Sequence, residues 1–245
     1  MYRFGLYRGL LPVIQSLYCS NFVYFYTFHA LKSMSNREKS AVKNLLLGMI
    51  AGCINVLATT PLWVVNTRIK MQGTASRMNK DSKPKYKGLL HGLLRIWKEE
   101  GVSSLWSGTL SSLILVINPA IQFMTYEAVK NKVEKTSGGQ LSVMAAFLSG
   151  ALAKAIATII TYPLQLIQTK QRHGHNYVGL DEKAGIISMT MYIIRLQGAR
   201  GLFKGLEAKI LQTVLTAALM FVFYEKIAAF VFKMLLMNNS PKLKH

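Results

Sequence analysis

A proline inside an apolar run that turns basic within two helical turns occurs twice in this chain. The copies, Thr59 to Lys70 and Thr161 to Lys170, share a threonine, a Pro-Leu pair, an amide and a basic end. Pro61 and Pro163 are 102 residues apart, and in a chain of 245 residues that distance indicates a domain-sized repeat. A proline within a helix removes one backbone hydrogen bond and bends the axis. The sequence therefore predicts a repeated, kinked helix.

The apolar residues are gathered into runs that are long enough to cross a bilayer. Hydrophobic residues make up 51% of the chain and charged residues 16%, which is typical of a membrane protein. The run from Leu10 to Leu31 contains no Asp, Glu, Lys or Arg, and its length suffices for about 30 Å of hydrocarbon. Further runs cover residues 43–70, 109–129, 141–169 and 206–232. We predict an all-α membrane protein with five transmembrane helices.

The basic residues lie mainly between these apolar runs. Thirty Lys and Arg against ten Asp and Glu give a formal net charge of +20, which in a soluble protein would indicate a nucleic-acid partner. Basic loops between apolar runs are instead typical of segments that face lipid headgroups or gather anionic solutes. We therefore expect a lipid bilayer as partner and no nucleic acid. The alternative is a soluble, basic nucleic-acid binder, and the uncharged run from Leu10 to Leu31 argues against it.

Each long basic loop contains an amphipathic segment and ends in a turn bounded by two glycines. Residues 86–100 and 183–197 have the spacing of short surface helices, and the apolar face of the first could lie on the membrane surface. Both turns have eight residues, Gly101 to Gly108 and Gly198 to Gly205, with an aromatic residue two positions before the last glycine. The two loops are therefore copies of one unit.

A third copy of the turn is visible in part at the start of the chain. Gly9, Gly108 and Gly205 are 99 and 97 residues apart, and one apolar run follows each of them. We therefore predict a three-fold pseudo-repeat, with the second half of repeat one at residues 1–32, repeat two at 33–130 and repeat three at 131–245. Because repeats two and three each have two apolar runs, we expect a further proline-bearing helix upstream of Met1, the sixth of the bundle.

No catalytic or metal-binding motif is present in the sequence. It lacks a Gly-x4-Gly-Lys-Ser/Thr phosphate loop, a Gly-x-Ser-x-Gly elbow and a His-Glu-x-x-His helix. Five histidines and two cysteines have no metal-ligand spacing. We predict that the chain is not an enzyme and uses no metal and no cofactor.

The repeat spacing resembles the mitochondrial carrier family of solute transporters. The family pattern is Pro-x-acid-x-x-base-x-base, then a loop, acid-Gly, four residues, and aromatic-base-Gly. In this chain both the acid and the first base of the pattern are replaced in repeats two and three. The resemblance implies an interior-side kink and gate made by Pro61, Trp63, Asn66, Arg68, Pro163, Gln165, Gln168 and Lys170. Without the family's charges, we expect this gate to close through packing of Trp63 and amide hydrogen bonds.

The resemblance also implies a second gate, on the cytosolic side. The family carries aromatic-acid-x-x-base at the far end of each glycine-following helix, and residues 126–130 match this pattern fully. His29 replaces the acid in the first repeat, and Ala228 replaces the base in the third. The implied cytosolic gate residues are Lys32, Glu127, Lys130 and Glu225. The alternative is that these are ordinary charges at helix ends that extend towards water.

Polar residues inside the predicted spans are the candidates for substrate binding, because polar groups that face lipid are costly. Lys209 could pair with a phosphate, and neighbouring amides could hydrogen-bond to a base edge. At the depth where the resemblance implies substrate contacts, the predicted residues are Gln15, Ser16, Asn21, Ile114, Leu115, Asn118, Lys154, Lys209, Gln212 and Thr213. The alternatives are that Lys209 pairs with Glu207 at the membrane edge and that the amides join helices. Lys154 could instead extend towards water or pair with a neighbouring helix.

Within the family, residues 118–124 and 206–221 look like peroxisomal members that carry adenine nucleotides and coenzymes. The resemblance implies an antiporter that exchanges coenzyme A, FAD, NAD and adenine nucleotides across the peroxisomal membrane by alternating access. These compounds would be substrates rather than cofactors, and we expect the protein to act as a monomer. The alternatives are a mitochondrial inner-membrane carrier and, because one helix is missing, a membrane scaffold that does not transport.

Overall fold

The computed structural model describes residues 9–35, 41–78, 86–137, 142–174 and 184–238, and these residues form helices and no strand. The helices are α1 (Leu10–Met34), α2 (Ala41–Met78), α3 (Leu89–Glu100), α4 (Thr109–Leu115), α5 (Asn118–Ser137), α6 (Val143–His173), α7 (Ile186–Gln197) and α8 (Leu206–Asn238). Short 3₁₀ turns, Val102–Trp106 and Ala199–Phe203, follow α3 and α7. The predicted all-α class is therefore confirmed, and each predicted run corresponds to a helix or, for residues 109–129, to the pair α4 and α5.

The helices belong to two compact units, which are described separately. The first unit contains residues 1–118 and 161–204, and the second contains residues 119–160 and 205–245. α1, α2, α3, α4 and α7 therefore lie in the first unit, together with the carboxyl-terminal part of α6.

Four helical stretches within the described residues are long and apolar enough to cross a membrane. They are Ala41–Gln72, Val102–Lys135, Val143–His173 and Ala199–Ala228. α1 is a helix of 25 residues but is not among the four, because Gln15, Asn21 and its tyrosines lower its mean hydropathy. The span predicted at the start of the chain is helical, and its crossing of the membrane stays a prediction.

The proline in α2 leaves a backbone carbonyl without its helical donor, and a side chain from another element supplies one. The helix continues through Pro61, which has no N–H to give to the carbonyl of Leu57 four residues earlier. The indole Nε1 of Trp106 donates to that carbonyl at 2.9 Å. Trp106 is the aromatic residue of the glycine-bounded turn, so the turn of repeat two is joined to α2 at its proline.

Repeat three joins the same two parts by a different hydrogen bond. Pro163 lies inside α6, and the hydroxyl of the preceding Tyr162 donates to the carbonyl of Lys204 at 2.8 Å. The Tyr162 ring stacks on Phe203, the aromatic residue of this turn, with 6.5 Å between ring centroids. Each proline-bearing helix is thus attached to the turn of its own repeat, but the turn donates the hydrogen bond in repeat two and accepts it in repeat three.

The surface helices pack their apolar faces on the proline-bearing helix of the same repeat. Ile96 of α3 lies in a buried cluster with Val65 of α2, and Ile193 of α7 lies in a cluster with Ile167 of α6. The part of the apolar face of α3 that contains Ile96 is therefore buried against α2 and does not lie on the membrane surface. Leu90, Leu94 and Trp97 are more than half exposed, so this side of α3 stays available for contact with lipid.

The three glycines that define the repeat have the same backbone conformation. Gly9, Gly108 and Gly205 have φ of 89°, 77° and 91°, in the left-handed region that residues with a Cβ rarely adopt. Each glycine stands directly before a helix: Gly9 before α1, Gly108 before α4 and Gly205 before α8. Gly9 and Gly108 are the amino-terminal caps of their helices. The backbone therefore repeats in structure as the spacing of the glycines predicts.

Candidate transport site

Two neutral hydrogen bonds join the proline-bearing helices to the glycine-following helices in the first unit. Asn66 Nδ2 on α2 donates to Ser16 Oγ on α1 at 2.5 Å, and both residues are buried. Gln168 Nε2 on α6 donates to Ser112 Oγ on α4 at 2.7 Å. Asn66 and Gln168 are equivalent in the repeat and stand where the carrier pattern has its first base. We call these two pairs the amide layer; its role as a gate stays a prediction.

Arg68 makes an ion pair within repeat two. Its Nη1 lies 2.5 Å from Glu100 Oε1 at the end of α3, and its side chain is only 7% exposed. Its Nε donates to the carbonyl of Arg172 in the last turn of α6 at 3.3 Å. Arg68 stands two residues after Asn66 and therefore connects α2 to the surface helix α3 and to the end of α6.

Ser112 and Arg172 are two residues of this region that the sequence did not single out. Arg172 Nη2 donates to Ser112 Oγ at 2.9 Å, and the Arg172 Nε is buried without a hydrogen-bond partner. The family pattern places the second base of repeat three at Lys170, two residues earlier. A basic residue two positions beyond the pattern is the sequence signal that could have found Arg172.

The remaining interior-side positions lie on the same two helices. Gln165 Nε2 donates to Thr161 Oγ1 at 2.9 Å, within α6. Trp63 is partly exposed on α2, so its contribution to closing the gate stays a prediction.

The predicted substrate contacts of the first unit differ in their environment. Ser16 is fully buried and holds Asn66, which places it in the amide layer. Gln15 and Asn21 are exposed on α1, and Asn21 lines an aromatic groove of about 760 Å³ along that helix. Asn118 Nδ2 donates to Thr161 Oγ1 at 2.9 Å, which joins α5 to α6 as the helix-joining alternative predicts.

The aliphatic pair on α4 is accessible to different extents. Ile114 is 47% exposed, whereas Leu115 is partly buried. An exposed face of this kind can contact either lipid or an apolar part of a solute, so its role as a substrate contact stays a prediction.

The predicted contacts of the second unit include a cation beside an amide. Lys209 Nζ lies 3.4 Å from Gln212 Oε1, and the hydroxyl of Thr213 donates to the Lys209 carbonyl at 2.9 Å. Lys209 and Gln212 are exposed, whereas Thr213 is buried. Lys154 is exposed on α6. The structure thus brings together Lys209 and Gln212 as one polar group on the first turns of α8.

The predicted cytosolic gate residues form no ion pair within the described part of the chain. Lys32 is exposed at the end of α1, and its Nζ lies 5.8 Å from the centroid of the Phe28 ring. Glu127 and Lys130 are partly buried on α5. Glu225 lies in α8, and its side chain is outside the described residues. The ion pairing of this gate stays a prediction.

Comparison with known proteins decides the class of the chain. The family model described as "Mitochondrial carrier protein" matches residues 37–137 and 139–235. The chain belongs to the mitochondrial carrier family. This carrier is thus a membrane transporter of small molecules and not an enzyme, and the predicted carrier-type helical fold is confirmed.

Relatives of this carrier include peroxisomal proteins. It is 48% identical over 244 residues to mouse "Peroxisomal membrane protein PMP34". The matched stretch covers 96% of this chain and 79% of the mouse protein. It is 29% identical to the Arabidopsis thaliana "Peroxisomal nicotinamide adenine dinucleotide carrier", over 91% of this chain and 77% of the relative. An Arabidopsis thaliana "Nicotinamide adenine dinucleotide transporter 2, mitochondrial" is 35% identical over 92% of this chain and 63% of the relative. The predicted location as a multi-pass protein of the peroxisomal membrane is confirmed.

Proposed function

We propose that this carrier is an antiporter of nucleotide-type solutes: coenzyme A, FAD, NAD and adenine nucleotides. The observation that carries the proposal is its similarity to two carriers named for nicotinamide adenine dinucleotide, one of them peroxisomal. The polar group on the first turns of α8 supports it, because a lysine beside an amide suits a phosphate next to a polar ring edge. These compounds are substrates in this proposal, and no cofactor is consumed.

The predicted contacts have separate roles in the proposal. Lys209 and Lys154 attract phosphates, and the exposed Ile114 offers an apolar surface for the adenine face. Gln15, Asn21 and Gln212 read hydrogen-bonding groups of the solute. Ser16 and Asn118 have side-chain partners within the protein, so we assign them to helix joining rather than to substrate contact.

The amide layer is proposed as the interior-side gate. A neutral hydrogen bond contributes about 0.5–1.5 kcal/mol net, so the two pairs together contribute about 1–3 kcal/mol. Separating one buried ion pair would cost about 3–5 kcal/mol by comparison. A gate closed by the Asn66–Ser16 and Gln168–Ser112 pairs therefore opens without separating an ion pair, although the hydrogen bond from Arg172 to Ser112 must break as well. Glu127, Lys130, Lys32 and Glu225 form the proposed cytosolic gate.

The proposal is tested by exchange in liposomes with the full-length protein. Liposomes are loaded with coenzyme A, and the uptake of labelled NAD, FAD or ATP is followed over time. Lys209→Gln should lower the uptake of all three, because it removes the cation. Lys226→Gln is the matched control, since Lys226 is also exposed on α8, 17 residues further along the chain.

Three outcomes separate the parts of the proposal. Uptake by the wild-type protein that Lys209→Gln lowers and Lys226→Gln leaves unchanged supports both the function and the site. Uptake that is insensitive to Lys209→Gln removes the site assignment but keeps the function. Absence of uptake for every nucleotide and coenzyme contradicts the function and favours a membrane scaffold of carrier architecture.

We propose a monomer as the transporting unit, and the mass of the protein in detergent tests this.

A further inference from the structure

The guanidinium of Arg172 is a half-buried cation that the proposed transport cycle does not yet use. Its Nη2 donates to Ser112 Oγ, and its Nε is buried without a partner. The Ser112 hydroxyl also accepts a hydrogen bond from Gln168 and donates one to the carbonyl of Gly108 at 2.8 Å. Both lone pairs and the proton of Ser112 are therefore engaged, and Arg172 has only a neutral oxygen beside its charge.

No described carboxylate of the first unit is left to pair with Arg172. The described acids in that unit are Glu99 and Glu100, and both are in ion pairs: Glu99 with Arg95 at 2.6 Å and Glu100 with Arg68 at 2.5 Å. A buried charge without a counter-charge is costly, and buried charges are normally paired. Arg172 therefore carries a positive charge for which the described part of this unit provides no partner.

Helix geometry explains why Arg172 does not share the environment of Arg68. Arg68 stands seven residues after Pro61, and Arg172 stands nine residues after Pro163. A shift of two residues turns a side chain by about 200° around a helix. Arg68 accordingly contacts its own surface helix, whereas Arg172 contacts α4.

We propose that Arg172, together with Ser112, is an anion site that takes a phosphate group of the solute when the amide layer opens. The inference rests on the proposed function, because it requires a phosphate-bearing substrate. A guanidinium binds phosphate through two parallel N–H groups. The unpartnered Nε supplies one of them, and Nη2 becomes the second when Ser112 moves away with α4.

The position of the site links anion binding to gate opening. Gln168 lies one helical turn before Arg172 on α6, and both donate to the same Ser112 hydroxyl. Separation of α4 from α6 breaks both hydrogen bonds and leaves Arg172 with neither a charged nor a neutral side-chain partner. A phosphate that binds Arg172 only in the opened state shifts the equilibrium towards that state, because any ligand stabilises the conformation that it binds better. The substrate would therefore help to open the gate through which it leaves.

The test is ligand-dependent thermal stability of the full-length carrier, purified in a neutral detergent without added lipid. NAD is compared with adenosine, which has no phosphate, for the wild type, Arg172→Gln and Arg172→Lys. Lys70→Gln is the matched control, because Lys70 stands nine residues after Pro61 and is exposed. We expect Arg172→Gln to weaken NAD binding about ten-fold or more, since hydrogen bonds to a charged group are lost, and to leave adenosine binding unchanged. Arg172→Lys, which keeps the charge without the two-pronged contact, should fall between.

The outcomes distinguish this inference from the proposed function. If NAD does not stabilise the wild type and is not transported, the proposed function fails and the inference fails with it. If NAD stabilises wild type, Arg172→Gln and Arg172→Lys equally, the inference alone is overturned. If Arg172→Gln does not fold, the comparison of Arg172→Lys with wild type decides. In a parallel arm, phosphatidylglycerol replaces NAD. An Arg172-dependent shift with this lipid but not with NAD would assign the site to a headgroup and overturn the assignment to the solute.

Discussion

Replacing Trp106 by phenylalanine tests whether the glycine-bounded turn stabilises the proline kink of α2. Trp106→Phe keeps an aromatic ring at the position and removes only the indole N–H that lies 2.9 Å from the Leu57 carbonyl. Pro61 cannot supply a replacement donor, because it has no backbone N–H. Phenylalanine is also the residue at the equivalent position of repeat three, Phe203, so the change introduces no side chain foreign to this turn.

The expected loss of stability follows from the cost of an unsatisfied carbonyl. Leaving a buried acceptor without a donor costs about 1–3 kcal/mol, and side-chain hydrogen bonds between membrane helices contribute about 0.6–2 kcal/mol. Trp106 is 41% exposed, so water or a headgroup can partly replace the lost donor, and the lower end of these ranges applies. We expect a loss of about 1 kcal/mol, which for a chain of this length corresponds to a decrease in Tm of roughly 2–4 °C.

The assay is thermal unfolding of the purified protein in detergent, with Trp97→Phe as the matched control. Trp97 lies on the outward side of α3 and is 54% exposed, so its replacement should change stability by less than about 0.5 kcal/mol. A Trp106→Phe protein that unfolds at the same temperature as Trp97→Phe would refute the reasoning, because the indole hydrogen bond would then not stabilise the kink.

Three further predictions use pairs of positions within the chain. Glu100→Gln should lower the free energy of unfolding by about 2 kcal/mol, because it leaves the buried Arg68 without a counter-charge while the carboxylate itself is 30% exposed. Glu99→Gln removes a more exposed ion pair and should lower it by only about 0–1 kcal/mol in the same unfolding assay. Gly108→Ala should destabilise more than Gly198→Ala: both have positive φ, but a Cβ on Gly108 meets a backbone carbonyl at 3.3 Å and one on Gly198 meets open space. The double change Trp63→Asp with Asn66→Lys restores the family's charges and should slow exchange by overlocking the interior side; an unchanged rate would count against the amide layer as a gate.

The sequence predicts the helices and their repetition well because the signals are local. Apolar runs, the two prolines and the glycines at 99- and 97-residue spacing each constrain a short stretch of backbone. The positive φ of Gly9, Gly108 and Gly205 agrees with that repeat position by position. The surface helices α3 and α7 likewise occur within the predicted segments, although each begins three residues later than predicted.

The partners in the site could not be predicted, because they depend on contacts between distant residues. Asn66 and Gln168 are at equivalent repeat positions, yet Ser16 stands seven residues after its repeat glycine and Ser112 only four. No alignment of the repeats would have paired them. Arg172 could not be predicted for the same reason. Its lack of a counter-charge is visible only in the structure, where the described acids of its unit form ion pairs with other arginines.

The measurement that tests the account most directly is NAD uptake by the full-length carrier in two sets of liposomes, one loaded with coenzyme A and one empty. An antiporter, as proposed for this carrier, must return with a counter-substrate. We therefore predict rapid uptake of labelled NAD into loaded liposomes and little into empty ones. Equal uptake into both sets would contradict obligatory exchange, and absence of uptake into either set would contradict transport of nucleotide coenzymes.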